Sequence, residues 1–155
     1  MDASDPEGVV KALNEEVRDG WARTMGLRYV RADAEEVVAE LDIDDRHRQP
    51  YGIVHGGVHC GMIESITSVG AALVAMPRGQ SVVGVENHTS FLRAARAGRL
   101  RATARPLSVG RTSQVWDGEV RDEEGRLLAT GRVRVLCMDE GARLAGGKAS
   151  ARGVD

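Results

Sequence analysis

The apolar segment at residues 56–76 constrains the fold more than any other part of the chain. Between Cys60 and Pro77 its only charged residue is Glu64. Small or apolar side chains occur on nearly every side of the predicted helix: Val58, Met62, Ile66, Val69, Ala72, Leu73 and Met76. A helix that is apolar all round lies inside a protein rather than on its surface. We therefore expect other elements of the chain to enclose this helix.

Strands are the elements available to enclose it. Strand-like runs occur at 27–32, 35–43, 81–92, 98–109, 112–121 and 126–138. Their side chains alternate, as where the apolar residues Leu100, Ala102 and Ala104 are separated by polar ones. "DEEG", residues 122–125, predicts a hairpin turn. An antiparallel sheet curled around the helix would bury one face and leave the arginine-bearing face in water. The sequence thus predicts an α+β fold.

The two ends of the chain differ in character. Val9, Val10, Leu13, Val17 and Trp21 recur at helical spacing, which predicts an N-terminal helix over residues 6–22. Residues 140–155 are small and polar and predict a flexible tail. We therefore expect one domain over residues 1–139, with the tail outside it.

Composition excludes several classes of protein. The net charge of −2 argues against a general nucleic-acid binder, which carries a strong basic excess. The two cysteines, Cys60 and Cys137, do not make a disulfide framework. The start, "MDASDPEG", lacks the basic and apolar regions of a signal peptide, and no apolar run reaches the length of a membrane span. We expect a cytoplasmic protein without nucleic-acid or membrane partners.

A motif at the start of the long helix gives the first indication of chemistry. "HGG" at 55–57 precedes the helix, and the carboxylate of Glu64 follows seven residues later. The other residues that share the pattern are Gln49, Ser68, "ENHTSFLRAARAG" at 86–98 and "GRTS" at 110–113. With the order of elements, the chain over about residues 25–138 resembles the hotdog-fold acyl-CoA thioesterases. It is most similar to the phenylacetate-pathway and 4-hydroxybenzoyl-CoA thioesterase branch.

The resemblance implies a hotdog fold, in which an antiparallel sheet wraps around a long central helix. It also implies hydrolysis of a small aryl- or acyl-CoA, with coenzyme A as part of the substrate and no separate cofactor. Self-association as a dimer, or as a dimer of dimers, is a further implication.

Glu64 is the candidate catalytic group. Burying an ionised carboxylate without partners costs several kcal/mol, so a lone carboxylate in an apolar helix needs an explanation. Glu64 either extends from the helix or pairs with an arginine, or it lines a cleft. In a cleft it would attack a thioester carbonyl or activate a water molecule, and the resemblance leaves both routes open.

Gly56 and Gly57 are candidates for binding the thioester oxygen. A tight turn into a helix explains glycines equally well, but a helix N-terminus also offers unpaired N–H groups and a positive dipole end. Such donors stabilise the charge that develops on a thioester oxygen. The resemblance assigns this role to the N–H of Gly56.

The spacing of these two candidates predicts a site shared by two chains. Gly56 and Glu64 are eight residues apart, which is roughly 12 Å along one helix. One carbonyl cannot lie about 3 Å from both groups. Gly56 of one helix can instead face Glu64 of an antiparallel partner helix, as the hotdog resemblance also implies.

Three further residues complete the predicted catalytic set. Ser68 lies four residues after Glu64 on the same helix face, where its hydroxyl either orients the carboxylate or bonds back to its own helix. The resemblance implies that Gln49 lies near the thioester and that His55 orients the turn and can contact the substrate. His55, His59 and Cys60 could suggest a metal, but with no further ligand cluster we expect none.

The remaining candidates are contacts to substrate and to coenzyme A. Asn87, His88, Ser90 and Phe91 lie on the strand expected beside the cleft. Arginines and hydroxyls suit the negative nucleotide end of coenzyme A, although solvated strand ends would carry the same residues. The candidates of this kind are Arg93, Arg96, Arg111, Thr112 and Ser113.

Three other functions remain open. An acyl-CoA sensor could use the same cleft but has no need for the carboxylate. A hotdog hydratase needs an Asp–His pair that the sequence does not contain in the expected place. A structural subunit would leave Glu64 unexplained. The acyl group itself cannot be read from the sequence.

Overall fold

The computed structural model describes residues 4–15, 20–139, 141–144 and 147–148. Its helices are α1 Pro6–Glu15, α2 Trp21–Thr24 and α3 Gly56–Ala75, with 3₁₀ turns at Asp45–His47 and Met76–Arg78. Its strands are β1 Arg28–Ala32, β2 Val37–Asp42, β3 Gln80–Phe91, β4 Arg99–Val109, β5 Ser113–Arg121, β6 Leu127–Asp139, β7 Arg143–Leu144 and β8 Gly147–Lys148. The predicted long helix and the six predicted strands are confirmed to within two residues at each end.

The first six strands form one antiparallel sheet in the order β1-β2-β4-β5-β6-β3. The sheet encloses α3, and apolar side chains from both meet in the core, including the fully buried Met62, Ile66 and Trp116. On the opposite face of the sheet, Glu40 forms ion pairs with Arg28, Arg99 and Arg101. The predicted α+β architecture, with one dry and one arginine-bearing face, is confirmed.

The sheet leaves part of α3 uncovered. The half-buried residues Cys60, Glu64, Ser68 and Ala72 recur every four positions and therefore form one stripe along the helix. Our expectation that the helix is buried on every side is wrong for this stripe in the single chain. By length and composition α3 is apolar enough to cross a membrane, so the expectation that no apolar run reaches that length is wrong, but α3 is the core helix of a soluble protein.

The N-terminal segment is not one continuous helix. Asp5 caps α1 by accepting a 3.0 Å hydrogen bond from the Gly8 N–H, which puts Pro6 in the first helical position. Residues 16–19 of the predicted helix lie outside the described residues. Gly20 has φ +96° and ψ −177°, which no helix contains, and the separate helix α2 starts after it. The prediction of one helix over residues 6–22 is therefore wrong at Gly20.

Most of the predicted tail lies outside the described residues. Within it, β7 and β8 pair antiparallel through Arg143 with Lys148 and Leu144 with Gly147. The assignment of residues 1–139 to one domain and of 140–155 to a flexible tail stays a prediction.

Candidate active site

The first turn of α3 has one free backbone donor. His55 is the N-cap, and its Nδ1 accepts a 2.9 Å hydrogen bond from the Gly57 N–H. The Val58 N–H donates to the His55 carbonyl at 2.9 Å. Among the described residues no hydrogen bond engages the Gly56 N–H. Of the two glycines, Gly56 therefore has the N–H that is available to a ligand at the positive end of the helix.

A cavity of about 620 Å³ opens in front of this turn. Its lining includes Gln49, His55, Gly56, Gly57, His59, Phe91 and Arg93. The Phe91 ring lies so close to Gly56 that a Cβ there would be 2.6 Å from the ring atom Cε2. Position 56 thus favours glycine, because a larger residue would have to displace the exposed Phe91 ring.

The loop before α3 brings Gln49 to the cavity. The Gln49 N–H donates to the Ile53 carbonyl and the Gly52 N–H donates to the Gln49 carbonyl, which closes a tight loop. Gly52 has φ +73°, a conformation that glycine adopts without strain. Gln49 Oε1 accepts the Tyr51 N–H at 2.9 Å, while its Nε2 makes no hydrogen bond within the described part of the chain. Gln49 therefore offers an amide donor at the cavity.

Glu64 is held by neutral donors. Asn87 Nδ2 donates to Oε2 at 2.9 Å, and Ser68 Oγ donates to Oε1 at 3.4 Å. Asn87 also contacts the Cys60 carbonyl at 3.2 Å, and Thr89 Oγ1 donates to Asn87 Oδ1 at 2.7 Å. No ion pair in the described residues includes Glu64, so a structural pair with an arginine is not observed there. The predicted position of Ser68 beside the carboxylate is confirmed.

Sequence reasoning missed the residue that makes room for this carboxylate. A Cβ at Gly84 would lie 2.3 Å from Glu64 Oε1, so only glycine fits there without moving the carboxylate. The register of β3 against β6 shifts between Gly84 and Glu86, which leaves Val85 as a bulge beside the site. A glycine inside an otherwise β-branched strand, "SVVGV", was the available signal.

Among the described residues, Glu64 is not one of those that line the Gly56 cavity. Gly56 lines the 620 Å³ cavity with Phe91 at the end of β3, whereas Glu64 contacts Asn87 farther back along the same strand. The helix itself separates the two groups by roughly 12 Å along its axis. The predicted separation of the two candidate groups is therefore present in the fold.

Two candidate residues of β3 lie on the face of the strand that points away from α3 and the Gly56 cavity. Asn87, Thr89 and Phe91 face α3, so His88 and Ser90 point to the opposite face of the sheet. There they line a second cavity of about 500 Å³, together with Asp117 and Arg132. The structure does not bring His88 and Ser90 to the Gly56 cavity, and their contact with substrate stays a prediction.

The arginine and hydroxyl candidates fall into two groups. Arg93 lines the Gly56 cavity, and Arg96 Nη1 donates to the Tyr51 carbonyl at 2.8 Å beside it. Arg111 and Thr112 form the turn before β5, which begins at Ser113, and the Arg111 carbonyl accepts from Gln80 Nε2. Gln80 and Phe91 are the two ends of β3, about 36 Å apart. One chain therefore does not bring both groups together.

His59 is enclosed beside the cavity. Burial lowers the pKa of His59 from 6.5 to about 4, so the ring is neutral near pH 7. Its Nδ1 has no hydrogen-bond partner. Among the described residues no group of three or more histidine, cysteine, aspartate or glutamate side chains could hold a metal ion.

Comparison with known protein families identifies the family of this chain. The model of the thioesterase superfamily matches residues 51–129, which include the "HGG" turn, α3, β3, β4 and β5. The chain belongs to this family. The match covers the start of α3 and the Glu64 cluster, which consists of Glu64, Ser68, Asn87 and Thr89.

Individual relatives agree with this thioesterase assignment. The 1,4-dihydroxy-2-naphthoyl-CoA hydrolase of Escherichia coli is 35% identical over 124 residues, 80% of this chain and 90% of the relative. The proofreading thioesterase EntH of Klebsiella pneumoniae is 35% identical over 127 residues, 82% of this chain and 92% of the relative. A thioesterase structure from Haemophilus influenzae matches with a TM-score of 0.79 and 29% identity, covering 84% of this chain and 90% of that one.

The protein is therefore a thioester hydrolase with the hotdog fold, and the resemblance inferred from the sequence is confirmed. The matched family and relatives share the fold that encloses α3.

Proposed function

We propose that the protein hydrolyses the thioester of a small aryl- or acyl-CoA, with Glu64 as nucleophile or general base. The observation that carries this proposal is the Glu64 cluster. A half-buried carboxylate accepts hydrogen bonds from Asn87 and Ser68 and has no cation beside it among the described residues. A carboxylate without a cation keeps its lone pairs for a proton or an electrophile. The name of the E. coli relative supports an acyl-CoA substrate, and that of the Klebsiella relative supports thioester hydrolysis.

Either route breaks the same bond. As a base, Glu64 takes a proton from water, the hydroxide attacks the carbonyl carbon, and the C–S bond breaks to release coenzyme A and the acid. As a nucleophile, Glu64 forms an anhydride with the acyl group, which water then hydrolyses. A single turnover in ¹⁸O-labelled water puts the label into Glu64 by the nucleophilic route, when water attacks the glutamyl carbon of the anhydride, and never by the base route.

The oxyanion partner in this proposal is the N–H of Gly56. It is the free donor in the first turn, and the helix dipole adds to it. The amide of Gln49 and the ring of His55 line the same cavity and would position the thioester. Hydrogen-bond donors held ready in this way stabilise the charge that develops in the transition state.

Two copies of the chain would supply one site. β3 is an edge strand of the sheet, so its outer hydrogen-bonding groups are available to another strand. The uncovered stripe of α3 lies beside this edge, because Asn87 on β3 contacts Glu64 on the stripe. Antiparallel pairing of β3 with its copy would place Glu64 of one chain opposite the Gly56 cavity of the other. A dimer, or a dimer of dimers, is therefore part of the proposal.

The same pairing supports a shared coenzyme A site. Gln80 and Phe91 are the ends of β3, and an antiparallel partner brings its Gln80 end towards this chain's Phe91 end. Arg111, Thr112 and Ser113 of one chain would then approach Arg93 and Arg96 of the other. Such a cluster would bind the phosphates of coenzyme A. The composition supports a cytoplasmic location.

The test is the substitution Glu64→Gln measured with a panel of aryl-, short-chain and medium-chain acyl-CoA thioesters. We expect wild-type hydrolysis of at least one thioester and a loss of most of that turnover in the variant, with nearly unchanged binding. Turnover within about threefold of wild type, a barrier change below roughly 0.7 kcal/mol, would exclude Glu64 as the catalytic group. Tight binding of the panel without any wild-type hydrolysis would instead indicate a sensor.

A further inference from the structure

His59 differs from the other histidine that the fold buries. His47 is fully buried and uses both ring nitrogens, since Nδ1 accepts from the Asp44 N–H and Nε2 lies 2.8 Å from the Met25 carbonyl. His59 is only 3% exposed, yet neither ring nitrogen makes a hydrogen bond within the described residues. Buried polar groups without partners are rare and costly, so one in a native fold calls for an explanation.

The two nitrogens of His59 have different surroundings. Nδ1 is fully enclosed by protein atoms, whereas Nε2 keeps access to open space, and the residue lines the 620 Å³ cavity. An enclosed lone pair without a partner is less rare in proteins than an enclosed N–H without one. The favoured tautomer therefore carries its proton on Nε2, and the ring presents one neutral donor to the cavity.

The neighbours of His59 indicate which part of a substrate meets this donor. The Phe91 ring is 6.1 Å away between ring centroids, and Val54, Ile53 and Leu92 add an apolar wall. Gly56 and His59 are three residues apart on one helix face, roughly 4.5 Å along the axis. This apolar wall suits an acyl group better than a charged nucleotide, so we take a thioester bound at the Gly56 N–H to extend its acyl group past His59 and its nucleotide towards Arg93 of the same cavity.

We propose that His59 is a specificity-determining residue, whose Nε2 donates a hydrogen bond to an oxygen substituent on the acyl group of the substrate. This inference rests on the proposed function, because it takes the Gly56 cavity as the acyl site. A matching oxygen gives the Nε2 donor a hydrogen-bond partner. An acyl group without one leaves the donor unpaired and desolvated, and enzymes reject such substrates strongly.

The test compares benzoyl-CoA with its 2-, 3- and 4-hydroxy isomers. We expect wild type to prefer one isomer over benzoyl-CoA by about tenfold or more in kcat/KM, the effect of one hydrogen bond. His59→Leu reduces that ratio to within about threefold, and His59→Gln, which keeps an N–H donor, restores part of it. The control Thr67→Val leaves the ratio unchanged, since Thr67 is a buried residue of the same helix whose hydroxyl already bonds the Ile63 and Glu64 carbonyls.

Binding separates this inference from the proposed function. The non-hydrolysable thioethers phenacyl-CoA and the hydroxyphenacyl-CoA isomers report the same preference as a ratio of Kd values, whether or not the protein turns over. The inference is overturned if wild type has no preference for any hydroxyl isomer, or if His59→Leu weakens the hydroxylated and plain ligands equally. Lack of hydrolysis alongside a His59-dependent Kd ratio would contradict only the proposed function.

Discussion

Asn87 Nδ2 donates a 2.9 Å hydrogen bond to Oε2 of Glu64, so the edge strand of the sheet orients the carboxylate of the central helix. The Ser68 hydroxyl contacts the other oxygen at the longer distance of 3.4 Å. Thr89 holds the Asn87 carbonyl oxygen and thereby fixes which way the amide faces. One carboxylate oxygen is anchored and the other remains available for chemistry.

Asn87→Ala should lower kcat about tenfold with less than a threefold change in KM, because the carboxylate loses its anchor but the cavity keeps its lining. Asn87→Asp adds a second carboxylate beside Glu64. Two adjacent negative charges oppose each other's ionisation, so the acid limb of the kcat–pH profile should move to higher pH. Steady-state kinetics between pH 5 and 9 measures both effects. Identical pH profiles for wild type and Asn87→Asp would contradict the contact in solution.

Gly84→Ala should reduce turnover at least tenfold while the protein stays folded. The new Cβ would lie 2.3 Å from Glu64 Oε1, and the flexible carboxylate would move rather than the strand. Glu86→Ala, on the opposite face of the same strand, breaks only an exposed ion pair with Arg134 and should leave kcat within about twofold. Equal kinetics for Gly84→Ala and wild type would show that the carboxylate position is not critical.

A mixture of two inactive variants should regain activity. Glu64→Ala removes the carboxylate, and Gly56→Pro removes the N–H at the first helical position, where proline is tolerated. Refolding the two together gives heterodimers with one intact site and one site that carries both lesions. We expect about half of the wild-type activity per heterodimer if the sites are independent. A mixture that stays inactive, with heterodimers verified by mass and folding by circular dichroism, excludes the shared site.

The two buried histidines should respond oppositely to removal. His47→Leu leaves the Asp44 N–H and the Met25 carbonyl without partners and should cost about 2 kcal/mol or more of unfolding free energy. His59→Leu removes a ring without partners and should be neutral or stabilising at pH 7. Urea unfolding of the three proteins measures both. A loss for His59→Leu as large as that for His47→Leu would mean that His59 has a structural partner.

His59→Leu should also change how the free energy of unfolding depends on pH. Burial lowers the pKa of His59 to about 4, below the 6.5 of an unfolded histidine, so the unfolded chain binds the extra proton between these values. The contribution of neutral His59 to the free energy of unfolding is fully present above pH 6.5. It falls by up to about 3 kcal/mol as the pH decreases towards 4. His59→Leu should lose less stability than wild type between pH 7 and pH 4.5. Parallel losses would show that His59 does not titrate in this way.

Periodic local patterns predicted the fold. The all-round apolar pattern of 56–76 and the alternation in residues 98–109 depend only on neighbouring residues, and both elements occur as expected. The break at Gly20 and the uncovered stripe of α3 were not predicted, because hydrophobic spacing does not record backbone φ or which face the sheet reaches.

The site was predicted in its main groups but not in its contacts. Glu64 was recognisable as a lone charge in an apolar helix, and Ser68 followed from helical spacing. The proximity of Asn87 and Gly84 to Glu64 depends on how β3 crosses α3, and both residues are at least 20 positions from Glu64 in sequence. That crossing is a tertiary property, which one sequence without its fold does not reveal.

The strand order also determines when the chain can fold during synthesis. β3 follows α3 directly, yet it pairs only with β6, so Gln80 waits for its partner Asp139. Until β4, β5 and β6 have left the ribosome, α3 has no complete sheet around it. A segment apolar enough to cross a membrane is therefore exposed on the nascent chain until β6 is complete. Protection of the nascent chain by chaperones should consequently affect the yield of this protein.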